Sequence, residues 1–358
     1  MRRRDFLTST IALGLAQGFG RAYAQDTSSP AAPPAATPPA AAPAPATPVT
    51  GGFFRILTGS AHTTAFPVGV TIASAISNPP GSRPCDKGGS CGVPGMIAVA
   101  LSSAGSVANL AAVGNESIES GFAQADLVFS AWQGEGLYFR RAKQANLRVL
   151  ANLYPETVHL VVRRGSGIAE LRDLVGKRVS IDRGGSGTRF NAEIILAAYG
   201  VRLQQVKVLE VDPGEAADLM ARDELDAFFL ISGQPAPTVG DLTDRKIADL
   251  VPLSGRQIEG ALRRHHFFSR DLIPALTYAD VAQTETVSIG MQWVVPESLD
   301  PDLAYEILRA LWHPQNRRIL DAGPAMAQKI RLGTALLGVS TPLHRGAERF
   351  YREMKLIT

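Results

Sequence analysis

Two cysteines and six histidines are scarce material for metal or thiol chemistry in a chain of 358 residues. Cys85 and Cys91 sit together in PCDKGGSCGVPG, while His62, His159, His265, His266, His313 and His344 show no ligand spacing. Neither a metal site nor a thiol nucleophile is expected. Excess charge is also missing. The formal net charge is +3, and residues 1–24 alone hold Arg2, Arg3, Arg4 and Arg21 against Asp5. Four minus one accounts for the whole +3 and leaves zero for the rest, which supports neither a nucleic-acid groove nor a polybasic membrane patch. No run approaches the ~18 consecutive apolar residues of a spanning helix, and no solenoid-type repeat is visible. Direct membrane insertion is not expected.

The chain begins MRRRDFLTSTIALGLAQGFGRAYAQ, with a basic start, a short and weakly apolar middle, and Ala22-Tyr23-Ala24 as an A-x-A cleavage site. The run Arg3-Arg4-Asp5-Phe6-Leu7 resembles a twin-arginine export signal, with the general export route as the alternative. Residues 1–24 are thus expected to direct export to the periplasm. Residues 25–50 are almost wholly Pro, Ala, Thr and Ser, the composition of an extended spacer or stalk. Export favours a disulfide between Cys85 and Cys91, closing a short Gly-rich loop.

From Phe53 onward the pattern alternates between strand and helix. FFRILTGS, MIAVALSS, ADLVFSA, VKVLEV, LDAFFLIS and TVSIGMQWVVP read as strands, and two β-rich runs flank Pro155. VGVTIASAIS, SVANLAAVGNE (capped by Ser106), GIAELRDLVG, EAADLMARDE and LAYEILRALW read as helices. Such alternation predicts parallel sheets with helices on both faces. Its rhythm suggests two lobes, with residues 51–155 and 275–358 forming lobe 1 and residues 156–274 forming lobe 2.

The stretch VSIDRGGSGTRFNAEIILAAYG places Gly184-Gly185-Ser186-Gly187-Thr188 between a strand and a helix. Helix-starting N–H groups have no internal partner, and glycines let a ligand approach them, which favours a carboxylate, phosphate or sulfate. No Lys follows as in a Walker loop, no third Gly completes a dinucleotide fingerprint, and the serine is not in a G-x-S-x-G elbow. A plain turn with a Ser or Thr cap remains the alternative. Two further strand ends repeat the design: Gly59, Ser60, Thr63 and Thr64 after the first strand, and Ser102 to Ser106 with Asn109 after another. Open α/β sheets bind ligands beyond the carboxyl ends of their strands, so the three ends predict one cleft. No catalytic set and no cofactor motif appears.

Taken in order, FRILTGSAHTTAFPVG, SSAGSVANL, ANLYPETVHLVVR, DLVGKRVSIDRGGSGTRFNAEIILAAYG, EAADLMARDELDAFFLISGQP and LAYEILRALW resemble the TAXI family, the extracytoplasmic solute receptors of TRAP transporters. The resemblance spans the body from about Phe53 to the C-terminus. It implies a two-lobed periplasmic-binding-protein fold of the second type, each lobe a mainly parallel sheet flanked by helices, with a ligand cleft between the lobes. It further implies a non-enzymatic protein that captures a small anionic solute, a dicarboxylate or an amino acid such as glutamate, and delivers it to a membrane permease. By the same resemblance Ser60, Thr64, Phe66, Ser106, Asn109, Ser186, Gly187, Thr188, Asn191 and Gln234 are the candidate contacts. Phe66 stands where the family commonly has Tyr, and the glycines of the family's G-G-x-Y-Y-P-like run are missing. A sensor partner of a signalling receptor and an exported enzyme with an oxyanion site at the glycine turn are the competing readings. Arg163, Arg164, Arg183 and Arg189 are possible partners for a ligand carboxylate, with solvated surface charge as the alternative.

Overall fold

The computed structural model describes residues 52–358; the export signal and spacer expected at residues 1–50 lie outside the described residues. The chain runs through β1 (Phe53–Leu57), α1 (Ala65–Ile76), β2 (Ser77–Asn78), β3 (Val93–Pro94), β4 (Ile97–Leu101), α2 (Ser106–Gly114), β5 (Ser120–Gln124), α3 (Ala125–Gln133) and β6 (Leu147–Arg163). There follow β7 (Arg178–Ser180), α4 (Gly187–Ala198), β8 (Lys207–Leu209), α5 (Pro213–Ala221), β9 (Ala227–Ser232), α6 (Pro237–Asp244), β10 (Ala248–Val251), α7 (Gly255–Arg264) and β11 (Phe268–Ile273). The last elements are β12 (Thr284–Pro296), α8 (Pro301–Leu311), α9 (Arg317–Ala322), α10 (Ala325–Lys329) and α11 (Arg345–Glu353).

The main sheet runs β4-β1-β5-β12-β6-β9-β7-β8, with β10 added on β6 and β11 on β12. The trios β4-β1-β5 and β9-β7-β8 are parallel, as the strand–helix alternation predicts. Between them β6 and β12 pair antiparallel. Both are long, 17 and 13 residues, and each carries on from one trio to the other. β12 pairs with β5 through Met291–Val294, while β6 pairs with β9 through Thr157–Val162. The two β-rich runs around Pro155 are therefore one strand. Pro155 lies opposite Gly290, next to a register shift at Met291/Gln292, the kind of irregular position where a sheet tolerates a residue without an N–H.

Helices cover both faces. Beside the first trio, α1, α8 and α11 pack on one face and α2 and α3 on the other. Trp293 is fully buried there, edge-on to Phe54 and Phe122 with ring centres 6.3 Å away in each case. Around the second trio α4 and α7 take one face and α5 and α6 the other. Residues Tyr278, Val281, Val287 and Ile289 pack into these second cores. Among the described residues no helix is long and apolar enough to cross a membrane.

Three local expectations are corrected. ADLVFSA is helix, not strand: Ala125, Leu127, Val128 and Ala131 bury one face of α3, while the strand is the preceding SGFAQ. The start of α2 is capped by Gly105 at φ +113°, with Ser106 already inside the helix. The segment GIAELRDLVG makes only a short 3-10 turn at Leu171–Leu174, since Gly167 and Gly176 both have positive φ and bracket it. The expected Cys85–Cys91 disulfide is present in the insert between β2 and β3.

Candidate functional site

The ends of β1, β4 and β7 converge at the seam between the trios, and with β5, β6, β9 and β12 they enclose a cavity of about 40 Å³. That volume suits a water or two rather than a solute, because the opposed walls touch. The Gly185 carbonyl accepts from Val107 N (3.0 Å) and Ala108 N (3.1 Å) at the start of α2. A Cβ on Gly105 would lie 3.3 Å from Ser186 Cα, so two glycine turns meet backbone to backbone. Nearby, Ser232 Oγ accepts from Thr64 N (3.0 Å) and Thr64 Oγ1 accepts from Gly233 N (2.8 Å). Thr238 Oγ1 donates to His62 O at 2.7 Å. The helix-start donors expected to face a ligand are thus spent on the protein itself.

Of the ten expected contacts, Ser60, Ser106, Ser186, Gly187 and Thr188 line the cavity. Ser186 caps α4: its Oγ accepts from Thr188 N (3.0 Å) and donates to Asp182 Oδ2 (2.6 Å). Ser106 Oγ accepts from Gln124 N at 3.1 Å. Thr64 makes the bonds just described. Asn109 is fully buried behind the wall, where Nδ2 donates to Thr58 O and Phe122 O, both at 2.8 Å. Asn191 is equally buried, with Nδ2 donating to Gln124 Oε1 at 3.0 Å. Phe66 is half-buried on α1, and Gln234 Nε2 donates to Leu272 O at 3.1 Å; neither side chain lines the cavity.

The arginines are engaged elsewhere. Arg183 pairs with Asp212, Arg189 with Glu210, and Arg163 with Asp223 and Asp226. Arg164 Nε donates to Ala248 O. No Lys or Arg lines the cavity, whereas the carboxyls of Glu156 and Asp182 do. Gln124 Nε2 donates to Glu156 Oε2 at 2.9 Å, so Asn191, Gln124 and Glu156 form one buried chain from α4 through β5 to β6. Burial lifts the Glu156 carboxyl to about 8, against the Gln124 hydrogen bond, with Asp126 adding to the rise. Burial likewise lifts Asp126 to about 6, opposed by Asn191. Asp182 is raised by burial and held back by the Ser186 and Arg183 hydrogen bonds. At neutral pH Glu156 therefore keeps its proton. Gln124, Glu156 and Asp182 are absent from the sequence-derived contacts, although acids inside apolar strand ends, as in LYPET and VSIDRGG, are a legible signal.

His159 is packed away from the cavity. Its Nε2 lies 2.8 Å from the Tyr278 hydroxyl, which accepts from Ala236 N, and burial lowers the ring to about 4.

The NMT1-like family profile matches residues 56–354. Among solved structures, the alkanesulfonate-binding protein SsuA from Xanthomonas axonopodis pv. citri, bound to MOPS, aligns at 16% identity over 84% of this chain and 83% of its own, with a TM-score of 0.47. The periplasmic aliphatic sulphonate binding protein SsuA from Escherichia coli aligns at 13% identity over 86% and 94%, with a TM-score of 0.42. A TctC solute binding protein from Polaromonas aligns at 12% over 87% and 100%, with a TM-score of 0.45.

Proposed function

The chain belongs to the NMT1-like family, and from that premise we propose that it is a non-enzymatic, extracytoplasmic solute-binding protein whose lobes close on a small solute. In this reading residues 52–155 with 290–358 form one lobe and residues 156–289 the other. The second crossing is put at Gly290 rather than near residue 275, because residues 278–289 pack with the second lobe's cores. Strands β6 and β12 are the hinge. The supporting observation is that Gly105 and Ser106 of one lobe face Gly185, Ser186 and Gly187 of the other around a shared cavity. Opening would release the Val107 and Ala108 N–H groups from Gly185 O and make room for the solute.

The resemblance implies a dicarboxylate or an amino acid, and the lining favours the amino acid. A carboxylate suits the freed helix-start donors of α2. The Asp182 carboxyl suits an ammonium group, with the protonated Glu156 as a neutral acceptor beside it, and no cation in the lining serves a second carboxylate. Export to the periplasm by the twin-arginine route, on the signal pattern of residues 1–24, and delivery to a TRAP permease, on the family resemblance, complete the proposal. Isothermal titration of residues 51–358 with amino acids and dicarboxylates tests it: an amino acid should bind near micromolar, requiring about 8 kcal/mol, and dicarboxylates should not. Binding of dicarboxylates alone would overturn the assignment of solute class.

A further inference from the structure

A second cavity, of about 680 Å³, lies behind the crossing strands, within the ~300–1,000 Å³ of ordinary small-molecule pockets. Side chains alternate across a strand. Accordingly Glu156 and Met291 line the small front cavity, while their neighbours Pro155 and Gly290 line the large one. The two cavities share no lining residue. The back cavity is walled by β6 and β12, by the His266–Ser269 corner, and by the segment from Gln328 to Ser340.

Two features mark it as a built site. The body of the cavity is apolar, with Leu153, Phe267 and Leu337 in its lining, and Leu337 is 70% exposed. The mouth carries Lys329 and Arg331, and no Asp or Glu is among the lining residues. Arg331 reaches only the exposed Asp321, at 3.6 Å.

We propose that this back cavity binds a small aromatic acid. The acid group sits at Lys329 and Arg331, and the ring lies against Phe267 and Leu337. The assignment does not depend on what the front cavity takes.

Fluorescence titration of the full chain with anilinonaphthalene sulfonate tests it, with phenylnaphthylamine as the same aromatic body without the acid. One saturable site for the sulfonate is expected. Replacing both Lys329→Ala and Arg331→Ala should weaken the sulfonate about tenfold, as two exposed charge contacts allow, and leave the neutral probe within about twofold. Ser340→Trp, at an exposed position on the rim, should abolish both while thermal unfolding stays unchanged. No saturable binding, binding that survives Ser340→Trp, or equal sulfonate affinity with and without the two cations would each overturn the proposal.

Discussion

Val107 N–H donates to Gly185 O at 3.0 Å, joining residues 78 positions apart through backbone alone. The contact exists because Gly105 and Gly185 have no side chains: φ is +113° at the first and +91° at the second, both in the region that favours glycine. A helix start that elsewhere would meet an anion here meets a carbonyl. The same two N–H groups are the switch in the proposed cycle, bonded to protein in one state and to solute in the other.

Gly185→Val should prop this contact apart. A Cβ at this site lies 3.3 Å from Ala104 Cβ and 3.5 Å from Ala108 Cβ, on a backbone that L-residues rarely adopt. The expected result is a larger radius of gyration by small-angle scattering and a loss of ~1–3 kcal/mol in urea unfolding. An unchanged radius would mean that the walls do not separate there.

Glu156→Gln should flatten the pH dependence of stability. The carboxyl is raised from 4.5 to about 8, so the folded state holds a proton that the unfolded chain releases. The penalty is absent below about pH 4.5 and grows by ~1.4 kcal/mol per pH unit up to about 8. The wild type should therefore lose stability between pH 5 and 8, and the variant should lose less while keeping an acceptor for Gln124. Urea midpoints at three pH values check this; parallel curves would refute it.

Asp182→Asn should weaken binding of an amino-acid solute by ~10–100-fold, the worth of a hydrogen bond to a charged group, because Asp182 is a lining carboxyl with a direct bond to Ser186. Calorimetric titration reads the change. Unaltered affinity would remove Asp182 from the solute contacts.

Asn109→Ala should act on stability rather than on solute contact. Its amide serves the carbonyls of Thr58, just past β1, and Phe122, within β5, and leaving both buried carbonyls without it should cost ~1–3 kcal/mol. Denaturant unfolding measures it. A loss of affinity with no loss of stability would return Asn109 to the binding site.

The strand–helix alternation, the three hydroxyl-rich strand ends and the disulfide were legible in the sequence, because each depends on local pattern. Non-local pairing was not. Nothing near Pro155 announces that β6 continues through it, since the partner that accommodates it, Gly290, lies 135 residues away. ADLVFSA is as apolar as a strand, and only burial at Ala125, Leu127, Val128 and Ala131 makes it helical. The buried polar chain of Asn191, Gln124 and Glu156 joins three elements, so no spacing within one segment reveals it.

The continuity of β6 and β12 has a mechanical meaning. A hinge made of loops is a free joint that rests at any angle. Here the crossing is a hydrogen-bonded ribbon with a proline and a glycine facing each other at its midpoint. In the proposed cycle such a ribbon bends like a leaf spring, and opening is resisted by twist in the ladder.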